Sequence, residues 1–315
     1  MTRRVAAVDC GTNSLRLLVA DVDPGRAELT DVDRRMEIVR LGQGVDQTGR
    51  LAPEALARTA GVLRDYADII AATAARSVRM VATSATRDAS NTAEFTRQVK
   101  EILGVAPEVL TGAEEAMLSF TGATAELAAA PEDAPFLVAD IGGGSTEFVL
   151  GMPGEPAVQA LSVNIGCVRM TERHLHGDPP SRDEVAAATT DIDAALDAVT
   201  GAVPVREART LVGLAGSVTT VAGIAMDLPA YDAARIHHAR VSAADVHQVT
   251  RSLLAQTRAA RAAIGVMHPG RVDVIGGGAL ILDRIMQRFG FGQVLVSEHD
   301  ILDGIAWSLA SDDRY

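Results

Sequence analysis

The stretch Val138–Leu150, VADIGGGSTEFVL, has the pattern of a strand, a glycine turn and a second strand. Three successive glycines allow positive φ angles and let the backbone approach a ligand closely. The N–H groups of such a turn can form a concave anion site. The turn is made of Gly142, Gly143, Gly144, Ser145 and Thr146. Asp140 ends the first strand, and a carboxylate beside a phosphate needs a cation between them. The stretch therefore indicates a phosphate with a divalent metal, and a glycine-rich hairpin without a ligand is the alternative.

A second copy of this pattern lies near the N-terminus. VAAVDCGTNSLRLLVA and FLVADIGGGSTEFVLG align without a gap, and Asp9 falls on Asp140 and Ser14 on Ser145, at a constant offset of 131 residues. An internal duplication of strand–Asp–turn–strand units predicts two similar domains, each presenting a hairpin turn to a shared cleft.

Length and composition agree with two soluble domains. The 315 residues are 48% apolar and only 3% aromatic, so the core must be built from Ala, Val, Leu and Ile. We find no membrane-spanning run and no signal peptide, and the two cysteines, Cys10 and Cys167, indicate reduced thiols rather than a disulfide framework. These features predict a cytoplasmic protein.

The charge balance limits the classes of ligand. The net charge is −12, which argues against nucleic-acid binding through a basic surface. Lys100 is the only lysine, and no GxxxxGK[ST] sequence is present, so the P-loop class is excluded. Phosphate recognition would have to use arginine, histidine, backbone N–H groups and metal.

Two further segments carry candidate polar groups in the first half. A predicted strand at 78–83 leads into SATRDASN, so Ser84 and Arg87 sit at a strand-to-helix turn, a common position for ligand groups in α/β sheets. Helix capping by Ser84 is the alternative. Glu114 and Glu115 open the next predicted helix and lie between the two duplicated turns in the chain. A favourable helix dipole would explain both carboxylates, whereas a catalytic one could orient or deprotonate water.

The second half offers more glycine turns and a set of cations. TLVGLAGSVTTVAG predicts a strand, a turn with Gly216 and Ser217 that permits close approach to phosphate, and a helix. RVDVIGGGALIL predicts another strand, glycine turn and helix, and a single helix is predicted over 243–263. We also predict a localised cationic track for a polyanion, formed by Arg169, Arg173, Arg235, His237, His238, Arg240 and Arg271. A solvated surface is the alternative for these cations.

These motifs together resemble the exopolyphosphatase / guanosine-pentaphosphate phosphatase (Ppx/GppA) family of the actin–hexokinase–Hsp70 superfamily. The matching segments are AVDCGTNSLRLLV, ATSATRDASN, LTGAEEA, VADIGGGSTEFVLG, SVNIGCVRMTER, GLAGSVTTVAG, RVDVIGGGALIL and VSEHDILDGIAW. They run in the family order over almost the whole chain, and the chain is similar to the short type without the added C-terminal region.

The resemblance implies an α/β fold of two ribonuclease-H-like domains with mixed sheets and an active site in the cleft between them. We expect the domains at 1–126 and 127–298, with a C-terminal helix at 299–315 packing back on the first. The implied reaction is hydrolysis of a terminal phosphoanhydride with release of orthophosphate. A homodimer is implied at the level of the family.

The resemblance also assigns roles to individual residues. Glu115 matches the catalytic glutamate that orients or activates water, and Glu114 is the second choice. Asp140 and Glu147 match the ligands of Mg²⁺, with Mn²⁺ as an alternative ion. Asp9 matches the acid of the first turn and is predicted as a third metal residue. The implied phosphate-binding residues are Gly11, Thr12, Asn13, Ser14, Arg16, Arg87, Gly143, Gly144, Ser145 and Thr146, to which the turn patterns add Ser84, Gly142, Gly216 and Ser217.

Three other functions remain open from the sequence. The family contains both polyphosphate and guanosine pentaphosphate (pppGpp) hydrolases, and no motif separates them, although the missing C-terminal region favours polyphosphate. A superfamily kinase is a second alternative. A sensor that binds polyphosphate or an alarmone (pppGpp or ppGpp) without hydrolysis is a third.

Overall fold

A computed structural model describes residues 2–129, 133–155 and 159–311. The sequence also predicts a surface connection at 127–135 and a strand at 157–165. Both of these segments, and the predicted C-terminal helix at 299–315, lie partly outside the described residues. The chain divides into two compact units, and each is described by itself below. Unit 1 comprises Met1–Ala125 with Ile301–Tyr315, and unit 2 comprises Glu126–Asp300.

Eleven strands form two sheets within the described residues. They are β1 (Arg3–Cys10), β2 (Ser14–Asp23), β3 (Glu28–Ile38), β4 (Ser77–Ala82), β5 (Glu108–Val109), β6 (Phe136–Ile141), β7 (Thr146–Gly151), β8 (Gln159–Val163), β9 (Thr210–Leu214), β10 (Arg240–Ser242) and β11 (Gln293–Val296).

Thirteen α-helices connect or cover these strands in the described part of the chain. They are α1 (Val45–Thr48), α2 (Pro53–Thr73), α3 (Ser84–Asp88), α4 (Thr92–Leu103), α5 (Gly112–Thr124), α6 (Cys167–His174), α7 (Arg182–Ala202), α8 (Ala215–Ala225), α9 (Ala233–Ile236), α10 (Ala243–Ala255), α11 (Arg258–Ala262), α12 (Ile275–Phe289) and α13 (Ile301–Ser311). None of them combines the length and the apolar character that crossing a bilayer requires.

The central strands of the sheet of unit 1 are buried on both faces, whereas the edge strands β3 and β5 are largely exposed. Its strand order is β3-β2-β1-β4-β5, with β1 antiparallel to β2 and parallel to β4. Side chains alternate along a strand, so Ala6 and Val8 of β1 pack in one cluster with α2 and α4, whereas Val5 and Ala7 pack in another with α13. The C-terminal helix α13 therefore completes the core of unit 1.

Unit 2 has a six-stranded mixed sheet with order β10-β11-β9-β6-β7-β8. β6 pairs antiparallel with β7 and parallel with β9. A single large apolar cluster joins this sheet to helices α7, α8, α10 and α12. The two mixed sheets with flanking helices confirm the predicted α/β class.

The predicted strand and glycine turn in RVDVIGGGALIL are wrong. Helix α12 begins at Ile275, so its first turn contains the three glycines. A Cβ atom on Gly278 would collide with Ser217 of α8, and one on Gly277 would lie 2.8 Å from the carbonyl oxygen of Cys167 in α6. The glycines therefore allow three helices to approach closely, a packing demand that local sequence does not reveal.

The predicted helix over 243–263 is divided in two. Gln256 leaves α10 in an extended conformation, and the hydroxyl of Thr257 caps α11 by accepting a hydrogen bond from the N–H of Ala260. A side chain that satisfies the first N–H groups of a helix favours a new start at that point.

We expect Gly304→Ala to lower the free energy of unfolding by about 1–3 kcal/mol. A Cβ atom at Gly304 of α13 would collide with the carbonyl oxygen of Leu118 in α5. Leu118 lies one turn after Glu115. Gly61→Ala in the interior of α2 is the matched control, because a Cβ there has no atom within 4 Å and alanine raises helix propensity. Urea unfolding measures both variants. Equal stability of Gly304→Ala and wild type would contradict the close packing of α13 on α5.

Candidate active site

The turn between β1 and β2 is closed by the N–H of Gly11, which donates to the carbonyl of Ser14 at 2.9 Å. Asp9 and Arg16 are directly opposite each other on the two strands. One carboxylate oxygen of Asp9 accepts hydrogen bonds from Nε of Arg16 at 3.0 Å and from its Nη2 at 2.8 Å. Asp9 is 3% exposed, so this ion pair balances the charge of a buried carboxylate.

The turn between β6 and β7 repeats that geometry. The N–H of Gly142 donates to the carbonyl of Ser145 at 3.0 Å. Asp140 and Glu147 occupy the opposed positions that Asp9 and Arg16 hold in unit 1. The duplication found in the sequence therefore extends to the closing hydrogen bond and the register of each hairpin.

The two hairpins differ in the charge of that opposed pair. Unit 1 has a carboxylate and a guanidinium, whereas unit 2 has two carboxylates, 7% and 1% exposed. Directly opposed residues have Cβ atoms about 4.5–5.5 Å apart, and like charges at that distance repel. Oε1 of Glu147 accepts a hydrogen bond from the hydroxyl of Ser162 at 2.7 Å, which orients it. Two buried, opposed carboxylates form a donor set that suits a hard divalent cation.

Positive φ angles are not the reason for the three glycines of the second turn. None of Gly142, Gly143 and Gly144 adopts one. Instead their carbonyl groups point at the start of α6: the N–H of Cys167 donates to Gly142 and that of Val168 to Gly143, both at 2.9 Å. In a planar trans peptide the N–H points opposite to the C=O. The N–H groups of Gly143 and Gly144 therefore point away from α6 and can face an anion.

Thr146 has a structural role in this turn. Its hydroxyl donates to the carbonyl of Ile165 at 2.6 Å, and the residue is fully buried. The side chain of Thr146 is committed to joining the hairpin to the segment before α6. We therefore leave it out of the phosphate contacts proposed below.

Arg87 binds the carboxylate of Glu115, the predicted catalytic residue. Its Nη1 donates to the carbonyl of Leu110 at 2.7 Å and to Oε2 of Glu115 at 3.1 Å. Leu110 follows β5 and Glu115 lies in the first turn of α5, so Arg87 links a strand end to a helix start. Glu115 is 8% exposed, which makes it a buried, oriented carboxylate.

Glu114 differs from its neighbour because it caps the helix. Its side chain accepts hydrogen bonds from the N–H and the hydroxyl of Thr111, both at 2.8 Å, while its own N–H donates to that hydroxyl. These bonds to the backbone and side chain of Thr111 lower the pKa of Glu114. Glu114 thus completes a capping box, which leaves Glu115 as the candidate for chemistry.

Helix capping by Ser84, the alternative to a ligand role, does not occur. Ser84 is the first residue of α3, after the N-terminal cap at Thr83, and no side chain caps that helix. The hydroxyls of Ser84 and Thr86 are buried and have no hydrogen-bond partner among the described residues. Ser84 lies in the same short helix as Arg87.

Gly216 and Ser217 lie at the start of α8 with different surroundings. A Cβ atom on Gly216 would collide with the guanidinium of Arg271, which donates to the hydroxyl of Thr220 at 3.2 Å. Ser217 is 5% exposed and packs beside Gly278 and Cys167. The side chain of Ser217 faces the packing of α8 against α6 and α12. Because β9 runs directly into α8, the predicted turn between them is wrong and Gly216 lies in the first turn of the helix.

Three members of the predicted cationic track lie beside carboxylates. Arg173 pairs with Asp191 at 3.1 Å, Arg240 with Asp133 at 2.6 Å and His237 with Glu126 at 3.0 Å. Arg169 is buried, and its Nε donates to the carbonyl of Gly144. Sequence showed the positive side chains but could not show which carboxylates lie beside them.

One group that sequence reasoning missed is formed by Glu126, His237 and His299, whose donor atoms lie within 4.8 Å of one another. Nδ1 of His237 accepts the N–H of Glu298 at 3.1 Å. The proton of the neutral ring is then on Nε2, which faces Glu126. A protonated nitrogen cannot ligate a metal, so this arrangement suits a hydrogen-bonded cluster rather than an ion site. His237 was visible in RIHHAR, but no local signal pointed to Glu126 or His299.

Comparisons with known proteins agree on one family. A sequence model of the Ppx/GppA phosphatase family matches residues 18–312. The chain is 54% identical over 318 aligned positions to Exopolyphosphatase 2 of Mycobacterium tuberculosis, covering 98% of both chains. A crystal structure of an exopolyphosphatase-like protein superposes with a TM-score of 0.92 at 43% identity, and an exopolyphosphatase from Cytophaga hutchinsonii with 0.88 at 26% identity, each covering 98% of both chains.

We expect neither cysteine to act as a nucleophile. Burial raises the pKa of Cys10 well above its ordinary value, and burial also raises that of Cys167, so both remain protonated thiols at pH 8. Titration with 5,5′-dithiobis(2-nitrobenzoate) should give almost no rapid reaction in the native protein and two thiols after unfolding in guanidinium. A fast-reacting thiol in the native protein would contradict this assignment.

Proposed function

Because the chain belongs to the Ppx/GppA phosphatase family, we propose that it is an exopolyphosphatase that releases the terminal phosphoryl group of inorganic polyphosphate as orthophosphate. The observation that carries the proposal is the 54% identity, over 98% of both chains, to a protein named Exopolyphosphatase 2. The buried carboxylates and the glycine turn described above supply groups that this reaction needs.

In unit 2, Asp140 and Glu147 would hold Mg²⁺, or Mn²⁺ in its place. The fit rests on two opposed, buried carboxylates with oxygen donors, one of them oriented by Ser162. When bound, the ion neutralises negative charge on the phosphoryl oxygens. We leave Asp9 out of this metal set, because Arg16 already balances its charge.

The glycine turn of unit 2 would bind a phosphoryl group through backbone N–H groups. Gly143, Gly144 and Ser145 follow carbonyls that face α6, which leaves their N–H groups on the opposite side. The aligned turn of unit 1, with Thr12, Asn13 and Ser14, would bind phosphate in the same way. The N–H groups of Gly11 and Gly142 close the turns and so take no part.

Glu115 would act on the attacking water. Phosphoryl transfer depends mostly on positioning and charge neutralisation, so the protein's task is to place the nucleophile in line. The oxygen of the water bonds to the terminal phosphorus while Glu115 accepts a proton from the water. The anhydride bond to the next phosphate breaks. The remaining chain leaves as an anion. Arg87 holds Glu115 in one orientation and does not itself accept a proton.

Phosphate release tests the proposal. Purified protein is incubated with polyphosphates of several lengths, guanosine pentaphosphate and ATP, each with Mg²⁺, with Mn²⁺ or with EDTA. We expect metal-dependent release that is fastest for polyphosphate. Preferential hydrolysis of guanosine pentaphosphate would replace the substrate, preferential transfer from ATP would indicate a kinase, and tight binding without release would indicate a sensor.

The adjacent glutamates provide a matched pair for the catalytic group. We expect Glu115→Gln to lower kcat by about 100- to 10,000-fold, the range for loss of a general base. Glu114→Gln should change kcat little, because glutamine also completes a capping box. Both are compared by steady-state phosphate release and by thermal unfolding. Unchanged kcat in Glu115→Gln, or an equal loss in both variants, would refute the assignment of Glu115.

A further inference from the structure

The N–H groups in the first turn of α6 donate hydrogen bonds to the carbonyl groups of the glycine turn of unit 2. The carbonyl of Gly142 accepts from the N–H of Cys167, and the carbonyl of Gly143 accepts from Val168 at 2.9 Å and from Arg169 at 3.1 Å. The first N–H groups of a helix lack partners within the helix. In α6 these N–H groups instead donate to the carbonyls of the glycine turn. Backbone hydrogen bonds alone therefore fix the peptides that follow Gly142 and Gly143.

The third peptide is fixed by a side chain. Nε of Arg169 donates to the carbonyl of Gly144 at 2.6 Å. Since the peptide between Gly144 and Ser145 is trans, this bond turns the N–H of Ser145 away from α6. Arg169 is 8% exposed, so the bond is shielded from water and strong in its low-dielectric surroundings.

The duplicated turn of unit 1 shows what this side chain replaces. Asn13 aligns with Gly144, and its carbonyl accepts from the N–H groups of Val39 at 3.1 Å and Arg40 at 2.9 Å. Both units therefore fix the same peptide in the same sense. Unit 1 uses two backbone donors, and unit 2 uses the guanidinium of Arg169.

Close packing brings Arg169 within reach of the turn. Gly166 precedes α6, and a Cβ atom there would collide with the backbone of Gly143. The absence of a side chain at Gly166 lets the helix start lie directly against the turn. A residue three positions later can then reach the carbonyl of Gly144.

We propose that Arg169 is a positioning residue that aims the N–H of Ser145 at the bound phosphoryl group. The proposal rests on the proposed function, because it assumes that the turn binds phosphate. Arg169 acts through the backbone of Gly144. Its removal frees the peptide to rotate, and the N–H that faces the anion is then no longer held in place.

The test compares three variants at one temperature well below their unfolding midpoints. Arg169→Met removes the donor, and Arg169→Lys keeps the charge but replaces the planar guanidinium with a flexible ammonium. Arg284→Met is the control, because this arginine of α12 pairs with Asp193 and belongs to neither the proposed site nor the predicted cationic track. Affinity for inorganic pyrophosphate with Mg²⁺ is measured by isothermal titration calorimetry, and kcat/KM by phosphate release from polyphosphate.

We expect Arg169→Met to lose about 10- to 100-fold in both quantities, as is typical when a group that orients a ligand is removed. Arg169→Lys should lose less, at least about 3-fold, and Arg284→Met should stay within 2-fold of wild type. A purely structural role would lower the unfolding midpoint but leave the affinity of the folded protein unchanged.

Folded Arg169→Met with wild-type affinity and kcat/KM would overturn the proposal. If that variant does not fold, wild-type values for both quantities in Arg169→Lys would overturn it instead. Wild-type protein that binds pyrophosphate without hydrolysing polyphosphate would refute the proposed function, and the binding comparison would still decide the role of Arg169.

Discussion

A backbone turn can present N–H groups to an anion only if its carbonyl groups are satisfied on the other side. In unit 2 this requirement is met by α6, whose first N–H groups and Arg169 together bind the carbonyls of three successive glycines. Leaving a buried carbonyl unpaired would cost about 1–3 kcal/mol. The position of α6, the glycine before it and the arginine within it therefore all follow from the same constraint.

The duplicated hairpins show how one change of charge separates two sites of the same shape. Both turns close with the same hydrogen bond, and both place two residues in direct opposition across the strands. Arg16 neutralises Asp9 in unit 1, whereas Glu147 adds a second negative charge beside Asp140 in unit 2. An arginine at that position makes an ion pair with the aspartate, whereas a glutamate places two carboxylates in direct opposition.

The adjacent glutamates of α5 are separated in the same way by their partners. Residues one apart on a helix point in different directions, so Glu114 turns back to cap the helix and Glu115 meets Arg87. Helix α13 also packs closely on α5 at Leu118, one turn after Glu115. Glu114, the second choice for the catalytic glutamate, is thus acidic for a local structural reason, which is the capping of α5.

The sequence by itself determined the α/β class, the duplicated hairpins and the family, because strand alternation, glycine turns and acidic residues at fixed spacing are local patterns. It predicted the second turn but not the close packing of α6 against that turn, which the missing side chain of Gly166 permits. Only the tertiary structure placed GGG of α12 inside a helix, buried Arg169 behind a turn and paired Arg173 and Arg240 with carboxylates. Each of these depends on contacts between residues far apart in the chain, and the energy of such a contact cannot be inferred from either segment alone.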